Sequence, residues 1–99
     1  MKINLLQTDN VWASLQANHE HAEKMMRSME SADLYILPEM FSTGFATQPE
    51  GIAEDMQNGT TPSIEWMKKM ACELDAAIAG SVAIREEDGR YYNRFCFVH

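Results

Sequence analysis

Apolar and polar positions along this 99-residue chain follow two rhythms. Ile3, Leu5 and Leu6 open a short apolar run that reads as a buried strand from Ile3 to Thr8. Trp12, Leu15, His19, Ala22, Met26 and Met29 then recur at helical spacing, with Gln16, Glu20, Glu23, Lys24 and Arg27 elsewhere on the wheel. This predicts an amphipathic helix that starts near Val11 and is capped by Asp9 or Asn10. Leu34-Tyr35-Ile36-Leu37 is apolar without a break, so a strand is expected from Asp33 to Leu37. It stops at Pro38, which has no backbone donor. Strand, helix and strand in this order form a βαβ unit, whose strands are parallel.

Residues 42–61 read as a loop, punctuated by Gly44, Pro49, Gly51, Asn58 and Gly59. A loop that long in a compact domain is usually functional. Thr61 can cap a second helix with Pro62 at its first position, and Met67, Met70, Ala71 and Leu74 make its apolar stripe. Ala77 to Arg85 is a third strand, and Asp88-Gly89 marks a hairpin that returns as Tyr91 to Val98. The order β-α-β-α-β-β is that of an α/β fold with a parallel sheet, in one domain over residues 1–99. Two helices cover one face of such a sheet, whereas sheets with βαβ crossovers normally bury both. The expectation is therefore that these residues form the N-terminal portion of a longer domain.

Charge narrows the range of partners. Fifteen acids against eight bases give a net charge of −7. No Lys/Arg cluster offsets it, so neither nucleic acid nor an anionic membrane surface is an expected partner. No run approaches the roughly 20 apolar residues that span a bilayer, and the N-terminus is too polar for a secretion signal. Cys72 and Cys96 have no CxxC spacing and read as reduced thiols, which suits a cytoplasmic protein.

Glu39 is the residue on which chemistry converges. It follows the apolar strand and Pro38 and precedes Met40 and Phe41. A carboxylate among so many apolar neighbours is costly to ionise in a dry site, and functional groups gather at the carboxyl ends of parallel strands. It could serve there as a general base or acid. The other reading, which position alone favours, is a loop glutamate that points into water or caps a backbone amide. Phe41, Phe45 and Tyr92 are candidate substrate-lining side chains near it, with core packing an equal alternative for each.

The segment Leu37-Pro38-Glu39-Met40-Phe41-Ser42-Thr43-Gly44-Phe45 resembles the catalytic glutamate segment of the nitrilase, or carbon–nitrogen hydrolase, superfamily. The flanks agree in order: a first strand ending in Gln7, Asn18 in the first helix, Ala79-Gly80-Ser81 in the third strand and Tyr92-Asn93-Arg94 in the fourth. The wording around Glu39 is most similar to the ω-amidase-like branch, which hydrolyses the terminal amide of short 2-oxo acids. The resemblance implies a four-layer αββα sandwich, of which this chain would be the N-terminal part. It also implies a Glu, Lys and Cys set in which a thiolate attacks the amide carbon. Only the glutamate maps onto this sequence, at Glu39. The lysine and cysteine would lie further on, so the 99 residues alone are expected to be inactive. A small-molecule amide substrate, no cofactor, no metal and a homo-oligomer complete the expectation. Another branch of the superfamily, such as an N-carbamoyl amide hydrolase or an aliphatic amidase, a non-catalytic α/β interaction module and a naturally short partner subunit are the alternatives.

Other residues offer less. Lys68 and Lys69 fall on the polar side of the second helix, Cys72 does likewise, and Cys96 alternates with Phe95 and Phe97 as a packed thiol. His19 and Glu23 share a helix face but His21 does not, which is not a zinc-binding HExxH arrangement. Glu50, Glu54 and Asp55 read as a solvated acidic loop with irregular spacing for calcium.

Overall fold

The computed structural model describes residues 1–7, 15–42 and 53–99. Its elements are β1 (Ile3–Leu5), α1 (Leu15–Ser28), β2 (Leu34–Ile36), β3 (Glu54–Asp55), α2 (Pro62–Leu74), β4 (Ala77–Arg85) and β5 (Tyr91–Val98). The expected order holds with one addition. Part of the stretch read as a loop pairs as β3, a two-residue strand too short to show any period. Thr8, the proposed caps Asp9 and Asn10, the helix start at Val11 and Trp12 lie outside the described residues, as do Phe45 and Glu50.

The caps follow the local chemistry. Thr61 is extended and its side chain accepts a hydrogen bond from the Ile64 amide at 3.3 Å, with Pro62 at the first helical position. Asp75 ends α2 in the left-handed conformation and closes it with bonds to Ala71 and Cys72 carbonyls. At the hairpin, Gly89 has φ +83°, and the Glu86 amide donates to the Arg90 carbonyl at 2.9 Å.

β4 is the spine of a five-stranded sheet. β5 pairs antiparallel along one edge, from Ile78↔Val98 to Arg85↔Tyr91. The other edge carries two parallel strands end to end: β2 against Ala77–Ala79, then β3 against Ile84 and Arg85. β1 lies outside β2, parallel to it. Between β2 and β3 the edge of β4 from Gly80 to Ala83 pairs with no strand among the described residues. The chain leaving β2 turns in that interval.

Cross-strand partners share a face. On one face Tyr35, Leu37, Ile78, Val82 and Ile84 pack with Ala22 and Met26 of α1 and Met67, Met70 and Ala71 of α2. Arg27 of α1 bridges Glu23 and Glu73, tying the helices together at the surface. The opposite face presents Ile3, Leu5, Phe95 and Phe97, which are 49%, 69%, 66% and 55% exposed. The expectation of a single helical layer therefore matches the described residues.

Candidate active site

β2 ends at Ile36, and Leu37 makes one further ladder bond, its amide donating to the Ala79 carbonyl at 2.8 Å. Pro38 then breaks the pairing. Met40 has φ +49°, a left-handed backbone that non-glycine residues seldom adopt. Its amide donates to Ser81 Oγ at 2.8 Å, which holds that conformation from the neighbouring strand. The turn divides its side chains between the two sides of the sheet. Phe41 goes down among the helices, 1% exposed, with its ring 5.4 Å from Trp66 and 6.1 Å from His19. Glu39 goes the other way and is exposed.

This corrects the picture of Glu39 as a carboxylate enclosed by apolar groups. Its sequence neighbours Met40 and Phe41 are indeed buried, and Phe41 packs into the core, but the carboxylate lines a cleft. The cleft is about 310 Å³ and is lined by Leu37, Glu39, Gly80, Ser81, Asn93 and Phe95. Asn93 Nδ2 donates to Glu39 Oε1 at 2.7 Å. That bond fixes the rotation of the carboxylate and leaves Oε2 for a reacting group. A carboxylate oriented in this way can take a proton from, or return one to, an atom placed in the cleft.

Gly80 is required by close approach. A Cβ there would lie 3.1 Å from Leu37 Cβ and 3.3 Å from Phe41 Cδ1. Leu37 Cβ is tied to a hydrogen-bonded backbone and has little room to yield. Gly80 makes space for the turn, Ser81 bonds it and Asn93 aims its acid, so three separated positions serve one carboxylate.

Two proposed substrate-lining residues are elsewhere. Phe41 is core, because the left-handed step at Met40 turns it inward. Tyr92 pairs with Ile84 and so faces the helical side of β5, where the Arg94 guanidinium sits 5.6 Å from its ring centre. Strand alternation puts Asn93 and Phe95 in the cleft instead. That parity was available from the Asp-Gly hairpin, but it identifies the cleft side only once the path of Glu39 is known. Phe45 lies outside the described residues.

Neither cysteine, nor Lys68 or Lys69, lines the Glu39 cleft. Cys96 is opposite Gly80 on the helical side; burial pushes its thiol up, against a smaller lowering by Arg94, and Sγ lies 3.7 Å from the Arg94 carbonyl. Cys72 is exposed on α2, and Lys68 and Lys69 sit 3.8 Å from Glu65 and Glu73 at the surface. No helix among the described residues is long and apolar enough to cross a membrane.

The acidic loop also needs correction. Asp55 is exposed, but Glu54 is 4% exposed and accepts three hydrogen bonds: from Ser42 Oγ at 2.7 Å, from the Ser63 amide at 2.7 Å and from Ser63 Oγ. Ser63 is in the first turn of α2, where unpaired amides and the positive end of the helix favour an anion. The Ser63 hydroxyl hydrogen goes to Glu54, so His19 Nε2, 2.7 Å away, donates to that oxygen. The His19 ring stacks on Trp66 at 4.9 Å. Burial lowers its pKa from the ordinary 6.5, opposed in part by Glu54.

Native His19 therefore resists protonation more than unfolded His19 does. As pH falls through about 6.5 the unfolded chain takes up protons first and stability drops; above that value this contribution is complete. Urea unfolding between pH 5 and 7 is expected to show a steeper loss of stability on acidification for the wild type than for H19Q, whose amide can still donate to Ser63. Equal slopes would contradict it.

Known proteins share the sequence pattern and the fold of this chain. The carbon–nitrogen hydrolase family profile matches residues 2–99. "Omega-amidase YafV" of Yersinia enterocolitica is 39% identical over 98 residues, and its counterpart in Escherichia coli K12 is 37% identical over 100. The chain spans 36% of the length of each of these relatives, while 99% of the chain is aligned. Among solved structures, XC1258 of Xanthomonas campestris, a CN-hydrolase superfamily protein with an arsenic adduct in its active site, superposes with a TM-score of 0.86 at 33% identity, over 99% of this chain and 36% of its own. Saccharomyces cerevisiae Nit3, of the nitrilase superfamily, superposes at 0.84 with 17% identity over all of this chain and 40% of its own, a likeness of fold. A βαβ sheet with a glutamate oriented at the tip of its second strand, matched by the family profile over nearly its whole length, belongs to the carbon–nitrogen hydrolase family.

Proposed function

We propose that this chain supplies the general acid–base carboxylate, Glu39, of an amidase that cleaves the ω-amide of a short 2-oxo acid, and that residues 1–99 are the N-terminal portion of its single domain. The observation that carries the reading is the Asn93-oriented carboxylate in a cleft at the end of β2. The identity to proteins named omega-amidase, over a span that is 36% of their length, supports the substrate class.

Glu39 takes the proton of a cysteine thiol, and the thiolate attacks the amide carbon. A lysine ammonium stabilises the oxyanion. Glu39 returns the proton to the departing nitrogen, the C–N bond breaks and ammonia leaves a thioester. Water then attacks the thioester, losing a proton to Glu39, which passes it to the sulfur as the acid departs. The thiol and the lysine are contributed by the whole enzyme; Cys72, Cys96, Lys68 and Lys69 do not fill those roles. The cleft residues Leu37, Glu39, Gly80, Ser81, Asn93 and Phe95 include no cation, so the carboxylate of a 2-oxo acid substrate is also recognised from outside this set.

The test is ammonia release by the full-length protein from a panel of amides: ω-amides of short 2-oxo acids, N-carbamoyl amino acids and simple aliphatic amides. Fastest turnover of the first group is expected. Preference for either of the others would move the protein to another branch, and no release from any would refute an amidase.

A further inference from the structure

We propose that Glu54, acting through Ser42, is a positioning residue for Glu39: the buried carboxylate at the start of α2 holds the far end of the turn that carries the catalytic one. This rests on the amidase reading for its effect on catalysis, but its structural content is independent of it.

The turn from Glu39 to Ser42 is fastened at both ends. At the near end the Met40 amide is bonded to Ser81. At the far end Ser42 is fully buried; its carbonyl accepts from Asn18 Nδ2 of α1 at 2.8 Å, and its hydroxyl donates to Glu54 at 2.7 Å. Glu54 is fixed in turn by the Ser63 amide and hydroxyl. None of the ion pairs among the described residues involves Glu54, so hydroxyls, an amide and a helix terminus carry its charge. A buried carboxylate with that many donors is a rigid post. The turn needs one, because Met40 is held in a left-handed conformation that its own side chain disfavours. Without the tie at Ser42, the intervening residues can relax toward ordinary backbone angles and carry Glu39 away from Asn93. A displacement of about 1 Å at a catalytic group costs as much as 10²-fold in rate.

The test uses the full-length protein with S42A, which cuts only the link to Glu54, and E54Q, which keeps an acceptor for the Ser63 amide but places a donor before the two hydroxyls. E39Q serves as reference. Two quantities are read: kcat and KM for the preferred amide, and hydrogen exchange of the Met40 amide relative to that of Ile78 in the core. The expected result is a kcat lowered roughly 10- to 100-fold with KM within about twofold, and faster exchange at Met40 with Ile78 unchanged. Wild-type kcat and wild-type Met40 exchange in both variants would overturn the proposal, as would equal acceleration at Met40 and Ile78, which marks a general loosening. Should S42A fail to fold, E54Q decides on the same readings. An E39Q enzyme as fast as wild type would instead remove the catalytic role of Glu39; Met40 exchange alone then decides the positioning claim.

Discussion

Glu39→Gln in the full-length enzyme is expected to lower amide turnover by about 10³-fold or more, with kcat and kcat/KM falling together. Glutamine keeps the acceptor that Asn93 uses, fits the same cleft and is exposed, so the unfolding midpoint should stay at the wild-type value. What it loses is the capacity to take up and return a proton within each half-reaction. Loss of general acid–base help affects both formation and breakdown of the thioester, so neither step can mask the other. Ammonia release measured at limiting and saturating amide, beside a urea titration, distinguishes a chemical defect from a folding one. Turnover within a few-fold of wild type would remove Glu39 from the mechanism.

Phe41→Ala is expected to be the most damaging single truncation to stability, costing about 3–5 kcal/mol. Phe41 is 1% exposed and is wedged between Gly80, Trp66 and His19. Removing its ring opens a cavity beneath the turn whose upper side carries Glu39, and the hydrogen-bonded strands around it have little freedom to close the gap. The urea midpoint should fall sharply. A variant of undiminished stability and raised KM would show instead that Phe41 touches substrate, as its place in sequence once suggested.

Much of the scaffold was legible because its signals are local. Asp88-Gly89 defined the hairpin, Thr61-Pro62 defined the start of α2, and the uninterrupted apolar run before Pro38 defined the strand that presents Glu39. Of the segments that flanked the resemblance, Ala79-Gly80-Ser81 and Tyr92-Asn93-Arg94, it is Gly80, Ser81 and Asn93 that line the cleft beside the carboxylate, while Tyr92 and Arg94 face the helical side. What sequence did not show depends on non-local geometry. Nothing marks Met40 for a left-handed conformation, so the inward turn of Phe41 had no signal. Glu54 stands beside Asp55 and looks solvated like it; only its place shortly before a helix start, with serines on either side in the fold, accounts for its burial. The cleft side of β5 depends on a parity that becomes meaningful once the path of residues 39–42 is known.

The way the acid is held sets a condition on transplanting it. A loop graft carrying residues 37–42 alone would deliver the glutamate without the glycine that clears its path, the serine that pins its turn or the asparagine that aims it. A scaffold meant to host this chemistry has to supply two adjacent antiparallel strands and a docking point under the loop before the acid is introduced. Its design unit is a patch of surface, not a stretch of chain.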